Sequence, residues 1–315
     1  MNIGLDMMGG DFAPLEAVKG AAEFLSATTA DIQLTLIGDE GQIKNCLADH
    51  PIPAGRYSIV HADEVIEMNE HPTKALKEKQ NSSIAIGFQL LATGKIDAFI
   101  SAGNTGAMMV GALFSIKAIE GVLRPTIGGY MPREDGTLGL LVDVGLNADC
   151  KPENLNQFAL LGSLFAKHIL NFENPKVGLI NLGEEEGKGN ILTQATYPLL
   201  KENTQINFIG NVEGRDILLT KADVLVCNGY TGNVVLKLAE SFYDIAKRRN
   251  ISDEHFDRFN FEQYGGVPVL GVNKPVIIGH GISHAMAFKN MIRIAQRMLE
   301  TDLSGKMKDS FLSPA

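Results

Sequence analysis

The sequence predicts an α/β protein in which helices cover both faces of a mixed sheet. Short apolar runs of strand length alternate with helical patterns along almost the whole chain, which is typical of sheets built from strand–helix units. Residues 125–131 and 137–144 break this alternation and flank a Pro-Arg-Glu-Asp-Gly turn, which predicts an antiparallel hairpin. The 315 residues can bury one large core, as a single domain or as two lobes sharing a central cleft.

Each element is predicted from its apolar period and from the Gly, Pro, Asn and Asp residues that bound it. Besides the hairpin, the predicted strands are residues 3–6, 33–37, 58–60, 98–101, 177–181, 207–210 and 224–227. The predicted helices are residues 14–25, 73–92, 105–119, 152–170, 231–248 and 283–299.

Composition excludes several classes of protein. The net charge of −9 disfavours a nucleic-acid partner, because its phosphates would be repelled over most of the surface. No apolar run approaches the roughly 20 residues that span a bilayer, and the first residues carry no basic or apolar leader pattern. The three cysteines lack paired spacing, so reduced thiols and a cytoplasmic location are expected.

The most informative feature is a short sequence that occurs twice. Residues 96–109 and 222–235 align without a gap, and Gly103, Thr105 and Gly106 match Gly229, Thr231 and Gly232. Each copy predicts a buried strand, a tight turn and the start of a helix. Helix N-termini bind anions through unpaired N–H groups, so the two turns are predicted to face one cleft and bind two polar groups. The alternative is that both are ordinary strand-to-helix turns, which favour Gly and Thr in any α/β protein.

Four further segments are candidates for the site, and each has a purely structural alternative. The turn at Asp6, Gly9 and Gly10 follows the first strand, and His280 stands between two glycines before the last helix. Lys188 stands in a glycine-rich turn that lacks the spacing of a nucleotide-binding loop, but it suits a phosphate as a point charge. Residues 77–83, which include Lys79, Ser82 and Ser83, offer donors to an anion or form a solvated helix face.

Motifs for other chemistries are absent. The sequence has no Gly-x-Gly-x-x-Gly, Gly-x-Ser-x-Gly or His-Glu-x-x-His. Carboxylates at Asp253 and Asp257 have the i, i+4 spacing of a metal-binding helix, but a solvated helix is the simpler interpretation, and no metal site is predicted.

Taken in order, these motifs resemble the phosphate acyltransferase family of bacterial phospholipid synthesis. The resemblance runs through nearly the whole chain, in segments 6–11, 101–107, 124–127, 142–153, 183–190, 210–216, 228–234, 265–271 and 279–281. The family implies a three-layer α/β/α sandwich similar to isocitrate and isopropylmalate dehydrogenases, a homodimer and no cofactor.

Two segments depart from the family pattern, and both departures bear on the roles that the resemblance implies for those segments. Where the family shows Arg followed by Lys-Lys-Asp-Ser-Ser, this chain has Lys77 and then Lys79, Gln80 and Asn81 before the two serines. Residues 238–264 form a shortened helical segment where the family often carries a longer hairpin linked to membrane contact. Peripheral membrane association is therefore only weakly supported.

The resemblance implies transfer of a fatty acyl group from acyl-acyl-carrier protein to inorganic phosphate, giving acyl phosphate. Because a thiolate leaves readily and the sequence has no nucleophile motif, we expect direct attack of phosphate on the thioester. The resemblance also implies handover of acyl phosphate to a membrane glycerol-3-phosphate acyltransferase. We expect catalytic roles for Asn104, Lys188 and His280. The expected substrate-binding residues are Asp6, Gly9, Gly10, Lys79, Ser82, Ser83, Gly103, Thr105, Gly106, Asn147, Asn190, Gly229, Thr231, Gly232 and Asn233. The alternatives are a phosphotransacetylase-like enzyme acting on acyl-CoA, and a same-fold hydroxy-acid dehydrogenase that uses a metal and NAD.

Overall fold

The computed structural model describes residues 1–312, which form two compact units. Unit 1 comprises Met1–Lys117 and Phe261–Ser304, and unit 2 comprises Ala118–Asn260 with the described residues from Gly305 onward. Strands and helices alternate in both units, and each sheet contains parallel and antiparallel pairs. The predicted α/β class with a mixed sheet flanked by helices is therefore confirmed.

The elements are numbered along the chain. The strands are β1 (Asn2–Asp6), β2 (Gln33–Gly38), β3 (Tyr57–His61), β4 (Ala98–Ser101), β5 (Thr126–Pro132), β6 (Leu138–Val142), β7 (Lys176–Asn181), β8 (Asn207–Glu213), β9 (Val224–Val226), β10 (Gly266–Leu270) and β11 (Val276–Gly279). The helices are α1 (Leu15–Ala27), α2 (Glu40–Asp49), α3 (Pro72–Glu78), α4 (Ser83–Ala92), α5 (Thr105–Gly111), α6 (Pro152–His168), α7 (Ile191–Glu202), α8 (Gly229–Arg248), α9 (Glu254–Asp257), α10 (Ala285–Glu300) and α11 (Leu303–Leu312).

In unit 1 the strand order is β3-β2-β1-β4-β11-β10, with β10 antiparallel and the other five strands parallel. Helix α4 packs closely on β4, because Gly87 has no side chain to separate it from the ring of Phe99. The rings of Phe88 and Phe99 meet edge to face at 5.2 Å. This packing fixes the carboxyl end of β4, where the candidate site begins.

In unit 2 the strand order is β5-β6-β9-β7-β8, and only β5 is antiparallel to its neighbour. The β5–β6 pair is the hairpin that the sequence predicts. Helix α6 lies on β6 and β9, where Gly162 allows close contact with Val224. Beside β9, the buried guanidinium of Arg133 forms a 2.7 Å ion pair with Asp223.

The strands of the two units follow the same spatial order across the sheet, but they occur in a different order along the chain. Read from β2, unit 1 runs β2-β1-β4-β11-β10, and read from β8, unit 2 runs β8-β7-β9-β6-β5. The antiparallel hairpin comes last along the chain in unit 1 and first in unit 2. The two copies of the repeated sequence contain β4 and β9, which occupy the same place in this order.

The first Asp of each copy also has the same role. The Asp97 carboxylate accepts the N–H of Asn2 at the start of β1, and the N–H of Asp97 donates to the carbonyl of Asn2. Both hydrogen bonds are 2.7 Å long. Asp223 exchanges the equivalent pair with Lys176 at the start of β7, both of 2.8 Å. Each carboxylate therefore fixes the register of two parallel strands at their amino ends.

Several predicted boundaries differ from the structure. The predicted helix 73–92 is two helices, because the Ser82 hydroxyl caps α4 by accepting the Ala85 N–H. The predicted helix 105–119 ends in a π-helical turn, Ala112–Ile116. Residues 238–264 contain the end of α8, the one-turn helix α9 and a 3-10 turn, Phe261–Gln263.

Candidate functional site

In unit 1, three parallel strands bring the predicted residues of that unit to one edge of the sheet. Strands β1, β4 and β11 end at Asp6, Ser101 and Gly279. The turn after β1 touches the turn after β11, since the N–H of Asp11 donates to the carbonyl of Gly281 at 2.7 Å. A Cβ on Gly9 would lie only 2.6 Å from the N atom of Gly103. The structure thus brings Gly9, Gly10, Gly103 and His280 together.

A buried carboxyl group supports the turn that follows β4. The Ser101 hydroxyl donates to Oδ2 of Asp6 at 2.6 Å and accepts the N–H of Gly103 at 2.9 Å. Burial raises the pKa of the Asp6 carboxyl, although hydrogen bonds from Ser101, Ser83, Met8 and Gly9 oppose this shift. Because Asp6 is fully buried, it positions the turn and does not present its carboxyl to a ligand.

Asn104 connects the same turn to the preceding loop. Its amide nitrogen donates to the carbonyls of Glu67, Met68 and Glu70 at 2.9–3.3 Å, and its Oδ1 accepts the Ala107 N–H. The predicted catalytic side chain is therefore fully engaged within the protein, as the N-cap of α5. Within residues 1–312, the N–H groups of Thr105 and Gly106 have no acceptor, so these backbone donors are the groups of this turn that can meet an anion.

Lys79, Ser82 and Ser83 also have partners within the protein. The Lys79 ammonium forms a 2.6 Å ion pair with Glu70 and donates to the carbonyl of Val65. Ser82 caps α4, and Ser83 donates toward the Asp6 carboxyl. Both serines are buried. In this arrangement the break between α3 and α4 uses these side chains, and their expected contact with a ligand stays a prediction.

His280 follows β11 directly and is half-buried. Its ring lies against the ring of Phe261 at 4.5 Å, and its carbonyl accepts the N–H of Ser283. The contact with Phe261 orients the ring, and the next residue, Gly281, is the one that contacts the turn after β1.

In unit 2 a second buried carboxyl group has the same supporting role. Asp143, directly after β6, accepts hydrogen bonds from the N–H of Ile127, the hydroxyl of Thr126 and the N–H of Asn147. Asn147 in turn donates its amide to the carbonyl of Pro125 and accepts the N–H of Gly229. Sequence reasoning did not single out Asp143 or Ser101, since a buried polar residue at a strand end has no distinctive pattern.

The helix start in unit 2 is packed more tightly than the one in unit 1. The side chain of Asn228 accepts the Thr231 N–H at 3.1 Å, and its carbonyl accepts the Gly232 N–H. A Cβ on Gly232 would lie 1.8 Å from the carbonyl oxygen of Asp143. Asn233 donates its amide to the carbonyl of Val144. The N–H groups of Thr231 and Gly232 are therefore paired internally, whereas the N–H of Tyr230 and the hydroxyl of Thr231 have no hydrogen-bond partner among residues 1–312.

The N-cap positions explain why the two copies of the repeated sequence differ in structure. Strands β4 and β9 begin at matching positions of the repeat, Ala98 and Val224. Their helices are capped by Asn104 and Asn228, so α8 starts two residues earlier than the alignment implies. Thr105 is the first residue of its helix, whereas Thr231 is the third. The predicted cleft between the two turns stays a prediction.

A cavity of about 250 Å³ lies at the carboxyl ends of β7 and β9, lined by Leu155, Ile180, Asn181, Leu182, Asn190, Leu192, Thr193, Cys227, Asn228 and Thr231. Asn190 caps α7, and Asn181 donates to the carbonyl of Lys188 at 3.1 Å. The exposed ammonium of Lys188 has no ion-pair or hydrogen-bond partner among residues 1–312. This segment therefore offers an exposed positive charge at Lys188 and, at one small cavity, hydroxyl and amide groups.

The thiols near this cavity are not activated. Burial, aided by the Asp143 charge, raises the pKa of Cys150 to about 11. Burial also raises the pKa of Cys227 strongly. Across residues 1–312, no group of three or more His, Cys, Asp or Glu side chains is placed to hold a metal ion, and no helix is long and apolar enough to cross a membrane.

Comparison with known proteins gives consistent matches over the whole chain. A family model described as a fatty acid synthesis protein matches residues 1–252 and 248–306. A phosphate acyltransferase from Dictyoglomus turgidum is 43% identical, with 98% of this chain and 96% of the relative covered. A phosphate acyltransferase from Halothermothrix orenii is also 43% identical, with 98% of each chain covered.

Solved structures with the same fold are more distant in sequence. A phosphotransacetylase from Streptococcus pyogenes superposes with a TM-score of 0.68 at 19% identity, covering 95% of this chain and 94% of that one. A phosphotransacetylase from Staphylococcus aureus gives a TM-score of 0.63 at 18% identity, covering 94% of both chains. At this level of identity the likeness establishes the fold alone.

Proposed function

Since the chain belongs to the phosphate acyltransferase family and is therefore an acyltransferase, we propose that its acyl donor is a fatty acyl-acyl-carrier protein. The acceptor is inorganic phosphate, and the product is an acyl phosphate for phospholipid synthesis. The observation that carries this proposal is the near full-length similarity to phosphate acyltransferases, combined with an anion-suited turn in unit 1 and a lone ammonium in unit 2.

Each unit offers its own candidate anion-binding groups, and the principal ones have no hydrogen-bond partner among residues 1–312. The N–H groups of Thr105 and Gly106 point from the first turn of α5, where partial positive charge favours an anion. In unit 2, Lys188 supplies a full charge, and Asn190 and the Thr231 hydroxyl stand at the neighbouring cavity. Asn104 acts as a positioning residue, since its amide holds the turn in place.

The reaction proceeds by direct displacement. A phosphate oxygen attacks the thioester carbonyl carbon, the tetrahedral oxyanion collapses, and the carbon–sulfur bond breaks to give acyl phosphate and a thiolate. Inorganic phosphate is a mixture of monoanion and dianion near neutral pH, so an anionic oxygen is available to attack, and a thiolate leaves readily. Positioning and oxyanion stabilisation therefore supply most of the rate enhancement, the latter about 3–4 kcal/mol per good donor. His280 orients the phosphate or protonates the departing sulfur.

The state of the cysteines supports direct displacement over a covalent acyl-cysteine. Cys150 donates its S–H to the carbonyl of Asn147, and its raised pKa keeps it as a neutral thiol at physiological pH. Since the thiolate is the nucleophilic form, this residue is a poor acyl acceptor.

The proposed assembly is a homodimer. Helix α8 carries an exposed apolar stripe at Tyr230, Val234, Leu238 and Ile245, at the i, i+4, i+8 and i+15 spacing of one helix face. A second copy of this helix would cover that stripe. Chromatography with light scattering tests the assembly, and a monomer at micromolar concentration would contradict it.

The acidic carrier protein is proposed to dock at Lys247, Arg248 and Arg249, at the C-terminal end of α8. All three side chains are exposed, although Lys247 also pairs with Asp257 at 3.1 Å. Opposite charge speeds encounter, so reversing Arg248 and Arg249 should slow the reaction most at low salt. The product would pass to a membrane glycerol-3-phosphate acyltransferase, and the acyltransferase itself would work in the cytoplasm.

The second candidate is a phosphotransacetylase-like reaction on acyl-CoA, favoured by the fold shared with phosphotransacetylases. A phosphate-dependent thiol-release assay separates the two, with palmitoyl-acyl-carrier protein and acetyl-CoA compared at equal concentration. Faster turnover of the carrier-protein thioester supports the proposal. Preference for acetyl-CoA, or thiol release that does not require phosphate, would refute it. The similar proteins do not support the dehydrogenase alternative, because they are named phosphate acyltransferases.

A further inference from the structure

An exposed apolar patch lies beside the turns of unit 1. It consists of Phe12, Leu15, Met68, Ile282 and Met286, whose side chains are 40–54% exposed. They come from three separate segments, namely the start of α1, the loop before α3 and the start of α10. A contiguous group of large apolar side chains left in water marks a binding surface more often than single exposed residues do.

Direct contacts connect the patch to the phosphate-binding turn. The carbonyl of Met68 accepts a 3.3 Å hydrogen bond from Asn104, the cap of α5. The thioether methyl of Met68 lies 3.1 Å from the Cβ position of Gly281, and Ile282 follows Gly281 in the chain. On the other side, the ring of Phe12 stacks on His284 at 4.4 Å. A single residue, Asn104, therefore separates the patch from Thr105 and Gly106.

We propose that this patch binds the fatty acyl chain, including methylenes beyond its fourth carbon. This inference rests on the proposed function, because it assigns the chain of that donor to a surface. In an acyl phosphate the carbonyl carbon is bonded to a phosphate oxygen, so the chain must start beside the bound phosphate. Within unit 1, the patch is linked to the proposed phosphate turn through the Met68 carbonyl and the side chain of Asn104.

The chemistry of the patch fits a flexible chain better than the other occupants. Two of its five members are methionines, whose unbranched thioethers adapt to irregular apolar partners. Asp11 and Glu67 border it, and their charges oppose contact with an anionic lipid surface. A saturated chain carries no charge to be repelled.

The test is the dependence of activity on chain length. Met68→Ser and Ile282→Ser are compared with the wild type on acyl-carrier-protein donors with four and sixteen carbons, at saturating phosphate. Burying one methylene contributes about a four-fold factor in affinity. Loss of contact with two methylenes should therefore lower the C16-to-C4 ratio of kcat/KM by roughly ten-fold in each variant. Thermal unfolding confirms that these surface variants are folded.

Phe114→Ser is the matched control. Phe114 is also an exposed apolar residue of unit 1, but it lines a separate groove of about 750 Å³ between α3, α4 and the end of α5. The expected result is an unchanged C16-to-C4 ratio. If Phe114→Ser lowers the ratio instead, the chain binds in that groove and the inference is overturned.

Two further outcomes would also overturn the inference. One is phosphate-dependent turnover in which both patch variants keep the wild-type ratio, which would leave the proposed function intact. The other is dissociation of an oligomer by the patch variants, which would identify the patch as an interface between copies. If no donor of any length supports phosphate-dependent turnover, the proposed function itself fails.

Discussion

The hydroxyl of Ser101 donates a 2.6 Å hydrogen bond to Oδ2 of Asp6, and both residues are fully buried beneath the first turn of unit 1. Ser101 also accepts the N–H of Gly103. A carboxyl group on β1 thus fixes the backbone that follows β4, and this explains how neighbouring strand ends are tied into one rigid turn. A buried carboxyl in this position has consequences for stability that can be measured.

The first prediction concerns pH. Burial raises the folded-state pKa of Asp6 above its unfolded value of 3.8. At pH values between the unfolded and the folded pKa, the folded state therefore holds more protons than the unfolded state. By linkage, the contribution of Asp6 to the free energy of unfolding is fully present below pH 3.8 and is lost as pH rises through the folded pKa. Asp6→Asn should remove this dependence, and urea unfolding between pH 4 and 8 measures it.

Asp31→Asn serves as the control for Asp6, because Asp31 is an exposed acid of the same unit. The control variant should keep the wild-type pH profile. If the difference in unfolding free energy between Asp6→Asn and the wild type is the same at pH 4 and pH 8, the buried carboxyl does not titrate as inferred.

The second prediction concerns the packing of the second turn. A Cβ at Gly232 would lie 1.8 Å from the carbonyl oxygen of Asp143, a backbone atom that cannot move alone. Gly232→Ala should lower the free energy of unfolding by about 2–3 kcal/mol, since overpacking forces backbone shifts. At Gly106 the new atom would meet the ring of Pro72 at 2.3 Å, and the expected loss is smaller, about 1 kcal/mol.

Gly214→Ala is the reference for both glycine variants, because no atom lies within 4 Å of its Cβ position. Its stability should stay within about 0.5 kcal/mol of the wild type. Equal denaturation midpoints for Gly232→Ala and Gly214→Ala would show that the contact at Asp143 relaxes without cost.

The sequence predicted the strands better than the site. Strand 98–101 was predicted with its observed bounds, because a buried apolar run before a glycine turn has a clear pattern. The caps were harder to place, since Asn104 and Asn228 stand at different positions of the repeat and only hydrogen bonds distinguish them. The shared strand order of the two units was also hidden, because the hairpin moves from the end of one unit to the start of the other.

The third prediction concerns Cys150. With a pKa of about 11, it is expected to be thiolate in roughly one molecule in 3,000 at pH 7.5. Iodoacetamide should therefore alkylate the folded protein slowly at this residue and the unfolded protein rapidly, as peptide mass spectrometry can measure. Cys150→Ala should keep its acyl transfer activity. Accumulation of an acylated Cys150 on mixing with donor in the absence of phosphate would contradict direct displacement.

The fourth prediction concerns Lys188, whose ammonium has no partner among residues 1–312. A charge-assisted hydrogen bond to phosphate contributes about 1.5–3 kcal/mol. Lys188→Ala should therefore raise the KM for phosphate about 10- to 100-fold, while the KM for the acyl donor changes far less. Initial-rate kinetics with each substrate varied in turn measure both constants.

Lys201→Ala separates a specific role of Lys188 from a general loss of positive charge. Lys201 is exposed in the same unit, and its ammonium already pairs with Glu186 at 3.0 Å. Its removal takes away the same charge but leaves Lys188 in place, so the KM for phosphate should remain at the wild-type value. Because both variants lower the net charge equally, an equal rise in the two phosphate constants would mean that Lys188 acts only through the overall field. An unchanged constant in Lys188→Ala would remove this residue from the phosphate site.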